Sequence, residues 1–231
     1  IPAYNSNGLW LTSIDTLEQE AAELQEEGDF TAIKLRIGRE NLCDDLQALE
    51  AVRKGAGDDI KLMCDFNQGQ SLGEALTRCH ALDDKGLYWF EEPIPYDQIP
   101  GYAQLKRELQ TPIQLGENFY GPRSLYEAIN GEAGDYMMPD LMRIGGVTGW
   151  LHSASIAGAA GIPISSHLYP EFSAHLLGVT ETAHWLEWQD WVDPIINEPF
   201  ALSGGELSIP EKAGAGIEWD QKAVQQYEMD I

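Results

Sequence analysis

The sequence has few basic residues and few cysteines, and it contains no long apolar run. Lysine and arginine together number 14, against 38 aspartate and glutamate residues, which gives a formal net charge of −24. A chain this acidic has no basic face to neutralise phosphates, so we expect no binding to nucleic acid. No apolar stretch approaches the roughly 18 residues that a membrane-spanning helix needs, and we expect neither a membrane span nor a signal peptide.

The three cysteines are scattered and lack the paired spacing of a metal-binding or redox motif. They are Cys43, Cys64 and Cys79. An odd number of such thiols is typical of a reducing compartment, so we expect a cytoplasmic protein with free cysteines. The sequence does not begin with methionine, which suggests a fragment or a processed chain.

Short runs rich in β-branched and aromatic residues alternate with amphipathic stretches along the chain. The runs predict strands at residues 1–4, 31–37, 61–67, 88–91, 113–117, 136–140, 163–167 and 184–187. Helical periodicity occupies residues 16–27, 41–54, 72–85, 102–109, 124–130 and 147–160. This alternation predicts parallel β–α–β units, and about eight strands without a GxGxxG motif favour a barrel over a doubly wound sheet. We expect residues 198–231, with a hairpin-like segment at 202–209, to cover the barrel.

Charged and polar residues recur where the predicted strands end. Because active sites of parallel α/β barrels lie at the carboxyl ends of the strands, these positions predict a functional site. Carboxylates inside apolar strands are costly to bury unless they are paired or bind a metal. The set comprises Lys34, Arg36, Asp65, Asn67, Glu91, Glu117, Asp140, His167 and Glu187.

Three of these residues, Asp65, Glu91 and Glu117, are evenly spaced on successive predicted strands. Three oxygen ligands with no cysteine or histidine among them suit a hard divalent cation, so we expect Mg²⁺ before Zn²⁺. Alternation along the strand points Glu92 away from the face of Glu91, which makes Glu91 the expected ligand of that pair.

Two further pairs of residues suggest catalytic roles. Lys34 and Arg36 lie two residues apart, so their side chains leave the same face of one strand. In a barrel interior they either meet an anionic substrate or only neutralise the acids around them. Asp140 and His167 end neighbouring strands, and an aspartate that fixes the tautomer of a histidine makes it a general base. A lone histidine at such a position is more often structural, and the neighbouring aspartate favours the catalytic interpretation.

These motifs resemble the mandelate racemase subgroup of the enolase superfamily over essentially the whole chain. The matching residues are 34–36 (KLR), 65–67 (DFN), 91–93 (EEP), 116–118 (GEN), 139–140 (PD) with 145–150 (GGVTGW), 165–168 (SSHL) and 184–187 (HWLE). The resemblance implies a modified TIM barrel of the (β/α)7β type over residues 1–231, the C-terminal catalytic domain of such enzymes. Family members also carry an N-terminal capping domain, to which nothing in these residues corresponds.

The resemblance also implies a role for each site residue. Asp65, Glu91 and Glu117 would bind Mg²⁺, and Asp140 with His167 would form the acid/base dyad. The substrate would be contacted by Lys34, by a protonated Glu187, and by Ser6 and Asn67. The family has a second lysine where this sequence has Arg36, which is a poor base and a good clamp for a carboxylate.

The function implied is abstraction of the proton α to a carboxylate, with Mg²⁺, Lys34 and Glu187 stabilising the enediolate. We expect dehydration of a sugar acid, because Arg36 disfavours racemisation with two bases. The alternatives are a racemase or epimerase of a 2-hydroxy acid, and a non-catalytic barrel that binds a metal or a carboxylate. A Schiff-base aldolase using Lys34 would leave the three carboxylates without a role. The expected partners are a small anionic substrate and further copies of the chain in a homo-oligomer.

Overall fold

Eight short parallel strand segments close into a ring in this computed structural model, which describes residues 1–228. The sheet order is β6-β5-β4-β3-β2-β1-β7, and all of its pairings are parallel. Residues 163–167 supply the eighth position, because Ile164 bridges Met137 on one side and Ala183 on the other. The predicted barrel is therefore confirmed. The named strands are Ala3–Asn5 (β1), Ala32–Arg36 (β2), Lys61–Asp65 (β3), Trp89–Glu91 (β4), Ile113–Leu115 (β5), Tyr136–Met137 (β6) and Leu186–Trp188 (β7).

One helix follows each strand segment except the last, which is the (β/α)7β arrangement. Six of these helices are predicted from the sequence, with ends shifted by a few residues. The seventh, α7, was not predicted because six of its eight residues are buried and no amphipathic pattern marks it. The helices are Ile14–Glu26 (α1), Leu42–Ala56 (α2), Leu72–Leu82 (α3), Ile99–Glu108 (α4), Pro122–Asn130 (α5), Gly146–Ala160 (α6) and Pro170–Leu177 (α7).

Four strands, β2, β3, β5 and β6, end earlier than the sequence predicts, and the backbone shows the reason for two of them. Asn67 has φ 45° and Gly116 has φ 134°, and neither conformation continues an extended strand. β3 therefore ends at Asp65 and β5 at Leu115. As a result Glu117 lies in the loop after β5, and its side chain points toward His167, at the end of the strand segment 163–167.

The amino end of the barrel interior is filled by aromatic side chains. Trp89 meets the ring of Tyr4 edge to face, with 5.4 Å between ring centroids, and Trp185 belongs to the same buried cluster. Lys34 and Glu91 lie one step nearer the carboxyl end and are at most 2% exposed. The aromatic layer thus closes one end of the barrel, and the buried charges are confined to the other half.

The hairpin predicted in the tail lies at the amino end of the barrel. It consists of Leu202–Ser203 (β8) and Glu206–Leu207 (β9), and Ala3 N donates to Gly205 O at 2.9 Å. The hairpin therefore packs against the amino end of β1, away from the carboxyl ends of the strands. A short helix, Gln221–Gln226 (α8), follows, and residues 229–231 of the predicted tail lie outside the described residues. Within residues 1–228, no helix is both long enough and apolar enough to cross a membrane.

Candidate active site

Asp140 and His167 meet at the carboxyl ends of two neighbouring strand segments. A parallel bridge joins the two residues, and Asp140 Oδ2 lies 2.8 Å from His167 Nδ1. The backbone amides of Met142 and Arg143 each donate to Asp140 Oδ1 at 2.9 Å. The structure thus brings the two predicted dyad residues together and holds the carboxylate from its other side.

The second imidazole nitrogen of His167 faces another carboxylate. Nε2 lies 3.2 Å from Glu117 Oε2. Burial opposes a charge on the ring, but the hydrogen bonds to Asp140 and Glu117 outweigh it and raise the pKa of His167 to about 10. A ring that keeps its proton at neutral pH cannot accept another. A base at this position would need Nε2 free, with Glu117 turned away from it.

Lys34 is the centre of a buried ion cluster inside the barrel. Its Nζ lies 2.5 Å from Glu91 Oε1, 2.7 Å from Glu187 Oε1 and 3.3 Å from Asp65 Oδ2. Burial opposes the charge of Lys34, but the three carboxylates hold its pKa well above the usual value. The ammonium therefore stays charged throughout the physiological pH range.

The same cluster favours the ionised form of Glu187. This differs from the protonated carboxyl group that was predicted at this position. Burial favours the neutral acid, but Lys34 and His167 hold the pKa of Glu187 below its usual value. The ionised carboxylate accepts hydrogen bonds from Lys34 Nζ, from Ser6 Oγ at 2.8 Å and from Leu168 N at 2.9 Å. Glu187 is therefore an acceptor in this site.

The three predicted metal ligands do not meet at one point in this structure. Asp65 and Glu91 are register partners across β3 and β4 and both approach Lys34, whereas Glu117 approaches His167. In the part of the chain that the structure describes, no three Asp, Glu, His or Cys residues are arranged to hold a metal ion.

The donor set nevertheless fits a hard divalent cation in its chemistry. All three predicted ligands are carboxylates from successive strand ends, which is the donor type that Mg²⁺ prefers. Burial raises the pKa of Glu91 to about 8 in spite of Lys34, with the charges of Asp65 and Glu187 adding to the effect. Ionisation of Glu91 is therefore unfavourable without a further positive charge, and a bound cation would favour it. The ligand assignment stays a prediction.

Glu92 is a buried carboxylate whose role the sequence does not reveal. Its Oε1 accepts hydrogen bonds from Gly116 N at 2.8 Å and Glu117 N at 3.1 Å, and Gln68 donates to its Oε2. Glu92 thus ties the loop after β4 to the loop after β5 and positions the backbone of Glu117. The only signal in the sequence is the pair Glu91–Glu92 itself, since two acids in one apolar run both need partners.

The remaining predicted substrate residues lie at the same end of the barrel. Asn67 is exposed, and its Nδ2 donates to Asp65 Oδ2 at 3.1 Å. Arg36 donates to the backbone and side chain of Ser6. Among the ion pairs of residues 1–228, none involves Arg36, so Arg36 does not neutralise the surrounding acids by direct contact. Direct contact of Arg36 or Asn67 with a substrate stays a prediction.

The fold and the site together define a parallel α/β barrel with a buried acid–base cluster at the carboxyl ends of its strands. Residues 16–223 match the model of the "Enolase C-terminal domain-like" family. The chain belongs to that family, and the resemblance indicated by its motifs is confirmed.

Known relatives include both dehydratases and racemases. L-talarate/galactarate dehydratase of Salmonella typhimurium is 32% identical over 224 residues, which are 96% of this chain and 56% of the relative. N-succinylamino acid racemase of Amycolatopsis is 31% identical over 235 residues, 94% of this chain and 60% of the relative.

Two solved structures are also similar. An enolase from the alpha proteobacterium bal199 with bound Mg is 53% identical with a TM-score of 0.96, covering 98% of this chain and 63% of that one. An enolase from Bradyrhizobium, complexed with magnesium and mandelic acid, is 41% identical with a TM-score of 0.93, covering 100% of this chain and 63% of that one. The chain thus spans less than two thirds of the length of these proteins.

Proposed function

We propose that this chain is the catalytic barrel domain of an Mg²⁺-dependent enzyme that removes the proton α to the carboxylate of a small anionic substrate. The observation that carries the proposal is the 2.8 Å contact between Asp140 and His167 at neighbouring strand ends. The permanently charged Lys34 nearby, and relatives that are dehydratases and racemases, support it.

Each site residue has a role in this chemistry. Asp65, Glu91 and Glu117 would hold Mg²⁺, which when bound acts as a Lewis acid toward the substrate carboxylate. Lys34 would bind the same carboxylate and stabilise the negative charge that develops on it.

His167 would take the α-proton through Nε2, because Asp140 already holds Nδ1. Moving Glu117 away from Nε2 exposes that nitrogen. It also lowers the pKa of His167, because one of the two carboxylates that stabilise the imidazolium is removed. The ionised Glu187, with Asn67, would accept hydrogen bonds from hydroxyl groups of the substrate.

Dehydration of a sugar acid is the activity that fits these residues best. Elimination of a β-hydroxyl group needs one base on one face of the substrate, and the hydroxyl group leaves as water when it is protonated, a proton that His167 would supply once it holds the α-proton. Arginine keeps its own proton too tightly to serve as a second base. The acceptors at the mouth suit a substrate rich in hydroxyl groups. Racemisation of a 2-hydroxy acid is the second candidate, favoured by the similarity to a structure that contains mandelic acid.

The test follows exchange of the α-proton in deuterated water and formation of a 2-keto-3-deoxy acid, with the whole protein and a set of sugar acids and 2-hydroxy acids. His167→Asn should abolish both signals, whereas His152→Asn, at an exposed position of α6, should change neither. Exchange that persists in His167→Asn would assign the base to another residue. Interconversion of enantiomers without keto product would replace the dehydratase with a racemase, and inactivity on every substrate would favour the non-catalytic barrel.

A cytoplasmic location and a homo-oligomeric state stay predictions. Cys43 is exposed, Cys64 and Cys79 are buried, and all three are free thiols, which suits a reducing compartment. Fractionation of cells and light scattering on the purified protein would test the two expectations.

A further inference from the structure

The loop after β1 is folded around the side chain of Arg36, which is 4% exposed. Arg36 Nη1 donates to Ser6 O at 2.9 Å and to Gly8 O at 2.8 Å, and Nη2 donates to Ser6 Oγ at 2.8 Å. The backbone amide of Arg36 donates to Leu9 O at 3.0 Å. The guanidinium also lies over the ring of Trp10, 4.0 Å from its centroid. One side chain thus organises residues 6–10.

The loop needs such support because its own conformation is unfavourable. Leu9 has φ 55°, a left-handed conformation that is costly for a branched residue. Other residues also hold the loop: Glu20 Oε1 accepts from Leu9 N at 2.8 Å, Trp188 O accepts from Ser6 N at 3.1 Å, and Gln189 donates to Ser6 O at 3.3 Å. The charged hydrogen bonds from Arg36 are shorter than that from Gln189, and hydrogen bonds to an ionised group are the stronger kind.

Arg36 also controls the direction of one hydroxyl group in the active site. Ser6 Oγ accepts from Arg36 and donates to Glu187 Oε1 at 2.8 Å, and Lys34 Nζ donates to the same oxygen at 2.7 Å. A serine hydroxyl has a single proton. Because Arg36 occupies an acceptor position of Ser6, that proton is directed to Glu187.

We propose that Arg36 is a positioning residue, which aims the Ser6 hydroxyl at Glu187 and acts on the reaction through Ser6 rather than by contact with the substrate. A lysine has one compact ammonium group and cannot bridge two carbonyls and a hydroxyl while stacking on Trp10. The alternative role for Arg36 is direct contact with the substrate. That contact would use the buried Nε–H, which has no partner among the described residues. The kinetic part of this proposal rests on the proposed function.

The kinetic test compares Arg36→Lys, Ser6→Ala and the double variant in the whole protein. We expect kcat to fall about 10- to 100-fold in each single variant, in line with loss of a charge-assisted hydrogen bond, with KM changed less than about threefold. The double variant should be no slower than the slower single variant, because both changes break the same chain of contacts. Arg123→Lys, on a side chain that is 88% exposed, is the control. A rise in KM with losses that multiply in the double variant would overturn the proposal in favour of direct substrate binding.

Hydrogen–deuterium exchange provides a readout that does not depend on activity. Ser6 N donates to Trp188 O at 3.1 Å and Leu9 N donates to Glu20, so both amides are protected in the native loop. Arg36→Lys should accelerate their exchange at least about tenfold while amides of α3 stay unchanged. Unchanged exchange would overturn the positioning role whatever reaction the protein catalyses. Accelerated exchange in a protein that turns over no acid would support the positioning role and refute the proposed function.

Discussion

Replacing Lys34 with methionine removes the ammonium that three buried carboxylates share. The side chains of Asp65, Glu91 and Glu187 are at most 2% exposed, and their oxygens lie 3.3, 2.5 and 2.7 Å from Nζ. Removing one partner of a buried ion pair costs about 3–5 kcal/mol, because the remaining charge stays buried without compensation. We expect the free energy of unfolding to fall by that amount, a large share of the roughly 5–15 kcal/mol that stabilises a native protein.

Urea unfolding at neutral pH, followed by circular dichroism, measures this loss. The control is Lys54→Met, which breaks a 2.5 Å ion pair with Glu18 whose side chains are 71% and 46% exposed, and should cost less than about 1 kcal/mol. Added Mg²⁺ should restore more stability to Lys34→Met than to the parent, because the uncompensated carboxylates bind a cation more tightly and binding stabilises the native state. A loss no larger in Lys34→Met than in the control would refute this account of the cluster.

Two further perturbations test the packing at the amino end of the barrel and between helices. Burial and Lys61 lower the pKa of His184 to about 4, below the value of about 6.5 in an unfolded chain. Between these two pH values the unfolded state therefore binds more protons, and the free energy of unfolding should fall as the pH drops from about 6.5 to about 4. In urea titrations at several pH values, His184→Asn should remove up to roughly 3 kcal/mol of that pH dependence. The same dependence of stability on pH in the variant and the parent would contradict this. A Cβ at Gly55 would lie 1.9 Å from Glu18 O, whereas one at Gly73 meets nothing within 4 Å. Thermal unfolding should show Gly55→Ala destabilised by about 1–3 kcal/mol and Gly73→Ala slightly stabilised, and equal shifts would contradict close packing of α1 on α2.

The barrel and most of its elements could be predicted because their information is local. Strand runs and helical periodicity alternate in the sequence, and parallel strands place the residues at their ends side by side. This is why the contact between Asp140 and His167 could be predicted from the sequence. The helix α7 was missed for the opposite reason, since a segment buried on most sides has no polar face to indicate its period.

The charge states and partners in the site could not be predicted from the same patterns. Glu187 is ionised because Lys34 Nζ lies 2.7 Å away. Glu117 contacts His167 because β5 ends two residues before Glu117 and leaves it in a loop. Such differences depend on distances between side chains from strands far apart in the sequence. The contacts of Arg36 are of the same kind, because a loop conformation around Leu9 supplies them.

The position of β1 in the ring has a consequence for synthesis of the protein. β1 pairs with β2 on one side and with β7 on the other, where Tyr4 is the register partner of Glu187. While the chain emerges from the ribosome, one edge of β1 therefore stays unpaired until nearly the last strand has been translated. Open strand edges pair with other chains, and contacts across such long sequence separations form slowly. We therefore expect aggregation to compete with folding for as long as that edge of β1 is exposed.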